Sequence, residues 1–367
     1  MSKTGHFRQK KFLYGLLQDI KKIRSGKKQN LKIMEVCGTH TMTIHRYGLK
    51  KLLEDTGIHM LSGPGCPVCI TPNAVHEAAI NLVTERKNLI LTTFGDMTRV
   101  PTQKGSIQTA VAPQTSCIKI VYSPEESLEL ARAFPQKDIV FFGVGFETTI
   151  PGIALTIRKA SEEDLTNFSV LSAFWLIPPP LKAILNDKDT KIDGFLYPGH
   201  VSAIIGESPY LFVAEEHQTA GAIAGFEPAD ILLGILSVCR QVESRRPKVD
   251  NVYSRVVKPG GNRTAQAIMK DMLTVKDAYW RGLGSIRKSG LELKSKYSAF
   301  DAEKKYTLNI QASADDLPGC RCGDVLRGKI PPRNCPLFGR KCRPDSPQGP
   351  CMVSFEGACL AAYKYNR

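Results

Sequence analysis

The sequence predicts an α/β fold, with two parallel-sheet α/β domains that face a cleft and a C-terminal helical and loop-rich region. Three observations support this class. Short apolar runs alternate with helical patterns along most of the chain, as they do in βα units. Polar and sulfur-bearing motifs stand directly after several of these runs, where parallel strands form the ligand-binding edge of a sheet. From about Leu317 the chain becomes rich in Gly, Pro and Cys and loses its periodicity.

Local patterns predict the individual elements of the two α/β domains. The predicted strands are apolar runs at 31–36, 89–94, 118–122, 139–144, 168–175 and 194–197. Helical patterns follow most of them, at 42–53, 74–86, 124–134 and 179–185. Regular alternation of this kind is typical of mostly parallel sheets.

Two further helices are predicted outside these units. Residues 7–28 form a basic amphipathic pattern, with Phe12, Leu16, Ile20 and Ile23 at helical spacing. A long helix is also expected after the Gly-rich break at 259–261. Its apolar positions, spaced i, i+4, i+7 and i+11, are Ile268, Met272, Val275 and Tyr279.

These patterns divide the chain into four segments. Residues 1–30 form an N-terminal helix that can pack on a distant domain. Residues 31–115 form the first α/β domain and residues 116–235 the second. Residues 236–367 form a helical and cysteine-rich C-terminal domain. Its final segment, from about Leu317, has little apolar core of its own and would gain stability from a bound metal centre.

Composition excludes several classes of protein. The 367 residues are 42% hydrophobic and 23% charged, which is ordinary for a soluble globular chain. The longest apolar run, 168–177, is too short to cross a membrane, and no secretory signal is visible, so we expect a cytoplasmic protein. The net charge of +15 comes from dispersed Lys and Arg without a nucleic-acid-binding motif, so no nucleic-acid partner is expected. In the cytoplasm, eleven cysteines favour metal or redox chemistry over structural disulfides.

The first cysteine of interest, Cys37, stands where a strand passes into a helix. Amide groups and the dipole at a helix N-terminus favour the thiolate, so we expect Cys37 to have a lowered pKa and to act as a ligand or nucleophile. His40, three residues later, could ligate a metal or shuttle a proton. The alternative is a buried, inert cysteine with a helix-capping Thr–His pair.

A C-x-x-C motif at Cys66 and Cys69 lies in a Gly- and Pro-rich stretch, 63–69. Its spacing allows both sulfurs to reach one metal ion, or to form a reversible disulfide with each other. A zinc half-site is the alternative, but no second C-x-x-C completes it. Functional thiols are therefore favoured.

The C-terminal cysteines follow the pattern C-x14-C-x6-C-x16-C, formed by Cys320, Cys335, Cys342 and Cys359. The spacing is unlike that of a zinc ribbon, and prolines near the cysteines favour an iron–sulfur loop. From spacing alone, a [4Fe–4S] cluster, zinc and disulfides all stay open. Two more cysteines in this segment, Cys322 and Cys351, are a candidate redox pair.

Other polar residues follow predicted strands. Asp96 and Glu147 are candidate acid–base or hydrogen-bonding groups, with helix capping as the alternative. His200, after a Pro-Gly pair, is a candidate polar residue of the same kind. Cys117 and Cys239 are flanked by apolar residues and are expected in the core.

Taken together, these motifs closely resemble those of the hydrogenase maturation factor HypD family. The stretches that match are 37–41 (CGTHT), 63–69 (GPGCPVC), 94–97 (FGDM), 145–149 (GFETT), 197–201 (YPGHV), 225–228 (GFEP) and 349–357 (GPCMVSFEG). They cover almost the whole chain beyond the first thirty residues, and their joint order is specific. Two positions depart from the family pattern: the stretch 102–106 is longer than expected, and Phe174 stands where a histidine is usual. Both departures are expected to change local polarity in the cleft.

The resemblance implies a scaffold for assembling the Fe(CN)2(CO) group of [NiFe]-hydrogenases, with a redox role in cyanide transfer. It implies that iron is held jointly with a HypC-type chaperone, that Cys37 is the main ligand, and that Cys66 and Cys69 ligate iron or exchange electrons. A [4Fe–4S] cluster on the four spaced C-terminal cysteines and a HypE-type cyanide donor are also implied. No membrane partner is expected, and the chain is expected to be monomeric apart from these complexes.

Two rival functions remain at this level. A cluster-dependent thiol oxidoreductase would use Cys66 and Cys69 on a disulfide substrate and would hold no separate iron. A zinc-stabilised binding protein would be colourless, whereas an iron–sulfur protein absorbs near 400 nm.

Overall fold

A computed structural model describes residues 10–27, 29–111, 117–187, 189–311 and 317–365 of the chain. The α/β class with mostly parallel sheets is confirmed. The strands are β1 (Leu31–Glu35), β2 (Ile58–Ser62), β3 (Leu89–Thr93), β4 (Ile118–Ile120), β5 (Asp138–Gly145), β6 (Phe168–Trp175), β7 (Gly194–Pro198), β8 (Ala220–Ala224), β9 (Val249–Asn251), β10 (Leu273–Trp280) and β11 (Gly284–Leu293).

Helices connect most of these strands. They are α1 (Lys10–Arg24), α2 (Gly38–Arg46), α3 (Leu49–Glu54), α4 (Pro67–Ile70), α5 (Asn73–Glu85), α6 (Ile107–Ala110), α7 (Glu125–Ala133), α8 (Ile150–Glu162), α9 (Pro178–Leu185), α10 (Gly199–Ile205), α11 (Leu211–Glu215), α12 (Pro228–Ser244), α13 (Arg263–Met272), α14 (Ala302–Lys305), α15 (Cys322–Leu326), α16 (Pro350–Val353) and α17 (Ala358–Tyr365). Short 3₁₀ helices lie at Gly95–Arg99, Ser208–Tyr210, Ser295–Phe300 and Pro332–Asn334. Within the described ranges, no helix has the length and apolar character that a bilayer-spanning segment needs.

The strands form two sheets. The five-stranded sheet has the order β2-β1-β7-β8-β9 and is parallel throughout. The six-stranded sheet has the order β10-β11-β6-β5-β3-β4, in which only the β10–β11 and β11–β6 pairs are antiparallel. The chain passes from one sheet to the other after β2, after β6 and after β9. The C-x-x-C motif lies in the first of these crossings.

The sheets do not coincide with the predicted segments 31–115 and 116–235. Strand β3, from the first segment, pairs with β5, and β7, from the second segment, pairs with β1. Hydrogen bonding between parallel strands depends on register and not on nearness in sequence, so a contiguous division of the chain misses this interleaving. The motifs CGTH and PGHV therefore follow neighbouring strands of one sheet.

The central strands are buried on both faces, as their continuous apolar sequences predict. Along β5, Ile139 and Phe141 contribute to one hydrophobic cluster, whereas Val140 and Phe142 contribute to another. This alternation follows from the two-residue period of a strand. The central strands of the six-stranded sheet are thus packed on both faces, whereas β10 and β11 have exposed positions.

The helix predicted over 7–28 is α1, and residues 7–9 and 28 lie outside the described residues. Ile20 of α1 is fully buried against a cluster that includes residues of α12. The Arg24 guanidinium donates to Glu243 of α12 at 2.9 Å. The helix thus packs beside the five-stranded sheet, on a helix about two hundred residues later in the chain.

The long helix predicted beyond the Gly-rich break is wrong in its second half. Helix α13 ends at Met272, and residues 273–280 form strand β10, which pairs with β11 in an antiparallel hairpin. Val275 and Tyr279 satisfy the helical spacing only by coincidence, and the side chain of Val275 is half exposed on the strand. Two glycines with positive φ, Gly282 and Gly284, allow the turn that makes the hairpin possible.

Candidate functional site

Cys37 follows β1 and is the N-cap residue of α2, as the sequence predicts. Its thiol is buried, with 8% of the side chain exposed. The expected lowering of its pKa is wrong: burial, followed by the nearby Glu356 carboxylate, raises the pKa of the Cys37 thiol to about 12. The amide groups of Thr39 and His40 act in the opposite direction but are outweighed. Metal binding would displace this proton, because a coordinating thiol is deprotonated by the ion.

The C-x-x-C loop packs directly against Cys37. The Gly38 amide donates to the Gly65 carbonyl at 3.0 Å. At Gly65, a Cβ atom would lie 2.2 Å from the Cys37 backbone nitrogen, so only glycine fits there. The two cysteine motifs, nearly thirty residues apart in sequence, therefore share one contact.

Cys66 and Cys69 lie at the two ends of one helical turn. Cys66 is the N-cap of α4, and its sulfur accepts a hydrogen bond from the Cys69 amide at 3.2 Å. The two side chains are 3% and 0% exposed. The thiol of Cys69 also shares hydrogen bonds with Cys66 and Cys351, and burial raises its pKa well above the ordinary value. The C-x-x-C motif is thus joined to the C-terminal cysteines.

The C-terminal cysteines form a continuous sulfur cluster. The Cys322 thiol shares hydrogen bonds with Cys320, Cys351 and Cys359. Burial raises the pKa of Cys342 to about 11, and the charges of Cys322, Cys320 and Cys335 act on it in the same direction. Hydrogen bonds from Cys322, Cys359 and Cys69 hold the pKa of Cys351 well below its usual range. The thiols of this segment therefore lie close enough together for each to influence the ionisation of the others.

The donor set suits a soft metal. All eleven cysteines lie within the described ranges, and none is in a disulfide. A Cβ at Gly349 would come within 2.6 Å of the Cys320 sulfur and 2.8 Å of the Cys322 sulfur, so this glycine leaves the sulfurs room. Across the described residues, no three His, Cys, Asp or Glu side chains already have the arrangement of a metal site. Soft thiolates are the ligands that iron–sulfur clusters use, and the chemistry of the donors fits such a group.

Two carboxyl groups flank Cys37, of which Glu35 is buried and Glu356 is partly buried. Glu35 accepts a hydrogen bond from the Cys37 amide at 3.0 Å and another from the Thr41 hydroxyl. Burial raises the pKa of Glu35 to about 8. On the other side, Glu356 accepts from the Thr39 hydroxyl at 2.6 Å, and burial raises its pKa as well.

The two candidate histidines share an aromatic neighbour. His40 is fully buried; its Nε2 lies 3.0 Å from the Gly225 carbonyl, and burial lowers its pKa to about 4. Its Nδ1 has no hydrogen-bond partner among the described residues. His200 stacks on the Phe226 ring at 3.8 Å, and the ring of His40 lies 5.1 Å from the same phenylalanine. Burial lowers the pKa of His200 as well, and Phe226 links the imidazole of the CGTH helix to that of the PGHV motif.

The two candidate acids occupy different places. Asp96 accepts from the Phe355 amide at 3.2 Å, so it contacts the C-terminal stretch that also carries Glu356. Glu147 is buried and accepts from the Ile177 amide at 3.1 Å. It lines a largely apolar groove of 420 Å³, and burial raises its pKa to about 8. No described hydrogen bond joins Glu147 to a cysteine.

Comparison with known proteins shows the family of the chain. The profile of the family described as "Hydrogenase formation hypA family", HypD, matches residues 11–366. The chain belongs to the HypD family. Its role in hydrogenase maturation follows from that membership.

Curated members of the HypD family resemble the chain over nearly its whole length. A hydrogenase maturation factor HypD from Rhodobacter capsulatus is 43% identical over 373 residues, covering 100% of this chain and 98% of the relative. The HypD of Escherichia coli is 43% identical over 338 residues, covering 92% and 90%. The HypD of Cupriavidus necator is 40% identical over 351 residues, covering 94% and 91%.

Two positions depart from the HypD pattern, and both have a structural account. Phe174 lies in β6 with 2% of its side chain exposed, packed in a hydrophobic cluster. The longer stretch after Pro101 forms a small turn in which Thr102 and Gly105 exchange backbone hydrogen bonds. In the described hydrogen bonds, neither Phe174 nor the turn at 102–105 contacts a cysteine.

Sequence patterns missed three residues that the fold brings to this HypD site. Glu35 looks like the last residue of a strand, Glu356 like part of a loop, and Arg281 like the charged turn of a helix. Position supplied the only indication for the first two, because Glu35 stands two residues before the 37–41 motif and Glu356 lies inside the 349–357 motif. Nothing in the local pattern around Arg281 indicates its contact with the C-x-x-C loop.

Proposed function

We propose that this chain is the scaffold on which the Fe(CN)2(CO) group of [NiFe]-hydrogenases is assembled. The observation that carries the proposal is the continuity of the sulfur cluster. Cys37 touches the C-x-x-C loop, Cys69 shares a hydrogen bond with Cys351, and Cys351 shares one with Cys322. Cys37 thus lies against the loop through backbone contacts, and the sulfur atoms of the C-x-x-C motif and of the C-terminal segment form one path.

Cys37 is the proposed main ligand of the iron cargo, with Cys66 and Cys69 as additional ligands or as its electron donors. Their thiols are buried, and Glu35 and Glu356 lie beside Cys37. A buried thiolate pocket excludes water and favours a low-valent iron over harder cations. A HypC-type chaperone is proposed to hold the same iron from the open side.

The C-terminal quartet of Cys320, Cys335, Cys342 and Cys359 is proposed to hold a [4Fe–4S] cluster. When bound, the cluster would supply single electrons at low potential. Cys322 shares hydrogen bonds with two members of the quartet, Cys320 and Cys359, and also with Cys351. It therefore lies between the quartet and the rest of the thiol path.

The proposed redox step is a thiol–disulfide exchange. A protein thiocyanate on a HypE-type donor takes up two electrons and one proton, giving a thiol and cyanide for the iron. The C-x-x-C pair supplies those two electrons by becoming a disulfide and releasing two protons. Cys351 attacks Cys69 and displaces Cys66 as a thiol; Cys322 then attacks Cys351 and releases Cys69. The disulfide now joins Cys322 and Cys351, and the C-x-x-C pair is reduced again.

The geometry favours this scaffold over an oxidoreductase that acts on external disulfides. Such an enzyme presents its attacking thiol to solvent, whereas Cys66 and Cys69 are 3% and 0% exposed. The groups that interact with the Cys69 thiol are other thiols of the same chain, those of Cys66 and Cys351. A function in which electrons pass inside the molecule matches this burial.

The deciding experiment is infrared spectroscopy of the anaerobically isolated chain with its HypC-type chaperone. The proposal expects cyanide and carbonyl bands that disappear in Cys37→Ala. Cys322→Ala and Cys351→Ala should retain iron but lose cyanide loading, and Cys239→Ala, in the core of α12, should behave as wild type. Unimpaired cyanide loading in both Cys322→Ala and Cys351→Ala would reject the relay, and a wild-type complex without these bands would reject the scaffold.

A further inference from the structure

The turn between β10 and β11 touches both sulfur-bearing segments at once. We propose that Arg281 and Gly282 hold the C-x-x-C loop and the start of α15 at the separation that thiol exchange requires, with Arg281 as a positioning residue. This inference rests on the relay in the proposed function. In it, the separation of the exchanging thiols is set by a hairpin that carries no cysteine.

Arg281 holds the chain directly after Cys69. Its amide donates to the Ile70 carbonyl at 2.8 Å, and its Nε donates to the Thr71 carbonyl at 3.0 Å. A further guanidinium nitrogen donates to the side chain of Asn73. Arg281 is 5% exposed, so these bonds form away from water and resist displacement. The planar fork of arginine reaches Thr71 and Asn73 at once, whereas the single ammonium group of a lysine would not.

Gly282 holds the chain directly after Cys322. A Cβ at Gly282 would lie 2.3 Å from the Gly323 Cα, and a Cβ at Gly323 would lie 2.6 Å from the Gly282 Cα. Two glycines thus bring two backbones together with no side chain between them. Because Gly323 follows Cys322 in α15, the position of this cysteine depends on the turn.

The hairpin is anchored independently of either sulfur segment. Strand β11 pairs with β6, and the fully buried Trp280 donates its indole N–H to the Ser289 hydroxyl at 2.8 Å. Trp280 also contacts the ring of Trp175 in β6. This rigid turn contacts the residue after Cys69 and the residue after Cys322. It therefore fixes the distance between Cys69 and Cys322, and Cys351 has to reach both of these cysteines.

Paired glycine variants test the spacing. Gly282 and Gly284 have φ values of 78° and 81°, so alanine introduces similar backbone strain at both. Only at Gly282 would the new Cβ meet Gly323, since nothing lies within 4 Å of a Cβ at Gly284. The full-length chain, isolated anaerobically, is oxidised with one equivalent of diamide and quenched with acid at set times. Mass spectrometry then follows the disulfide from Cys66–Cys69 to Cys322–Cys351.

The proposal expects Gly282→Ala to slow this exchange by about tenfold or more, because small displacements of reacting groups have large rate effects. Gly284→Ala should keep the wild-type rate. Equal rates in the two variants would overturn the positioning role. Absence of a Cys322–Cys351 disulfide in the wild-type chain would instead overturn the relay of the proposed function, whatever the hairpin does.

Arginine variants give a second route if Gly282→Ala fails to fold. Arg281→Lys keeps the charge but loses the fork, and should slow the exchange; Arg281→Met should slow it further. Arg287→Met, on the exposed side of the same hairpin, is the matched control and should leave the rate unchanged. An Arg281→Lys variant with normal folding and the wild-type exchange rate would refute the assignment of Arg281.

Discussion

The hydroxyl of Thr39 donates to Glu356 at 2.6 Å across 317 positions of sequence. The contact is close-packed as well as polar, because a Cβ at Gly38 would lie 2.3 Å from the Glu356 Cβ. The C-terminal stretch therefore closes over the first turn of α2. It brings a carboxyl group to the thiol of Cys37, and the negative charge of Glu356 raises the pKa of that thiol.

Glu356→Gln should make Cys37 more reactive in the metal-free chain. The amide oxygen can still accept from Thr39, but the charge that raises the Cys37 pKa is lost. The thiolate fraction, and with it the alkylation rate, should rise several-fold, since each pKa unit changes that fraction about tenfold. Iodoacetamide labelling at fixed pH, read by mass spectrometry at Cys37, measures the effect. Glu163→Gln, on an exposed helix end, is the control, and an equal rate in both variants would contradict the electrostatic coupling.

Gly65→Ala should destabilise the fold by about 2 kcal/mol or more, because overpacking forces backbone shifts. The new Cβ would overlap the backbone of Val36 and Cys37. Gly152→Ala in α8 has open space around its Cβ and should instead stabilise the chain by about 0.5–1 kcal/mol. Urea unfolding measures both. A Gly65→Ala variant as stable as wild type would show that the two cysteine loops are not in the contact described.

Glu147 should make stability fall with rising pH. Its folded pKa is raised from 4.5 to about 8 by burial, so between these values the folded state binds a proton that the unfolded state does not. The free energy of unfolding should therefore decrease between about pH 4.5 and 8, by about 1.4 kcal/mol for each pH unit.

Glu147→Gln removes the ionisable group and keeps an acceptor for the Ile177 amide. Melting temperatures across pH 5–9 should show a smaller loss at high pH in this variant than in wild type. Glu35 contributes a slope of the same sign in both proteins, so it cancels from the difference. Parallel curves for the two proteins would contradict the raised pKa.

Gly349→Ala should prevent metal binding by the C-terminal quartet, because its Cβ would press on the sulfurs of Cys320 and Cys322. Absorbance near 400 nm and iron content of the anaerobically isolated chain should both fall. Gly339→Ala lies in the same segment with open space around its Cβ, and its positive φ should cost only modest stability. If Gly349→Ala retained wild-type iron and absorbance, the gap beside this glycine would not serve a cluster.

Local patterns predicted the elements whose sequences are unambiguous. Strand β6 has the predicted bounds, and β5 differs by one residue at each end, because long apolar runs with β-branched and aromatic residues favour strands. Strand β8 was missed because Ala220–Ala224 contains mainly alanine and glycine. It is a strand because it pairs in parallel with β7 and β9 and is buried along its whole length, and Gly221 leaves room for the ring of Tyr197, which a Cβ would meet at 2.4 Å. Tertiary packing overrides weak propensity there.

The sequence by itself determined which cysteine, histidine and carboxylate motifs the chain carries and where they lie, at the ends of β1, β3, β5 and β7. Local hydrophobic periodicity and turn residues contain that information. Only the tertiary structure decided which motifs meet. The interleaved strand order places CGTH beside PGHV, and packing brings Glu356 to Thr39 and Arg281 to the loop after Cys69. Such contacts depend on register and packing between distant segments, and no local pattern records them.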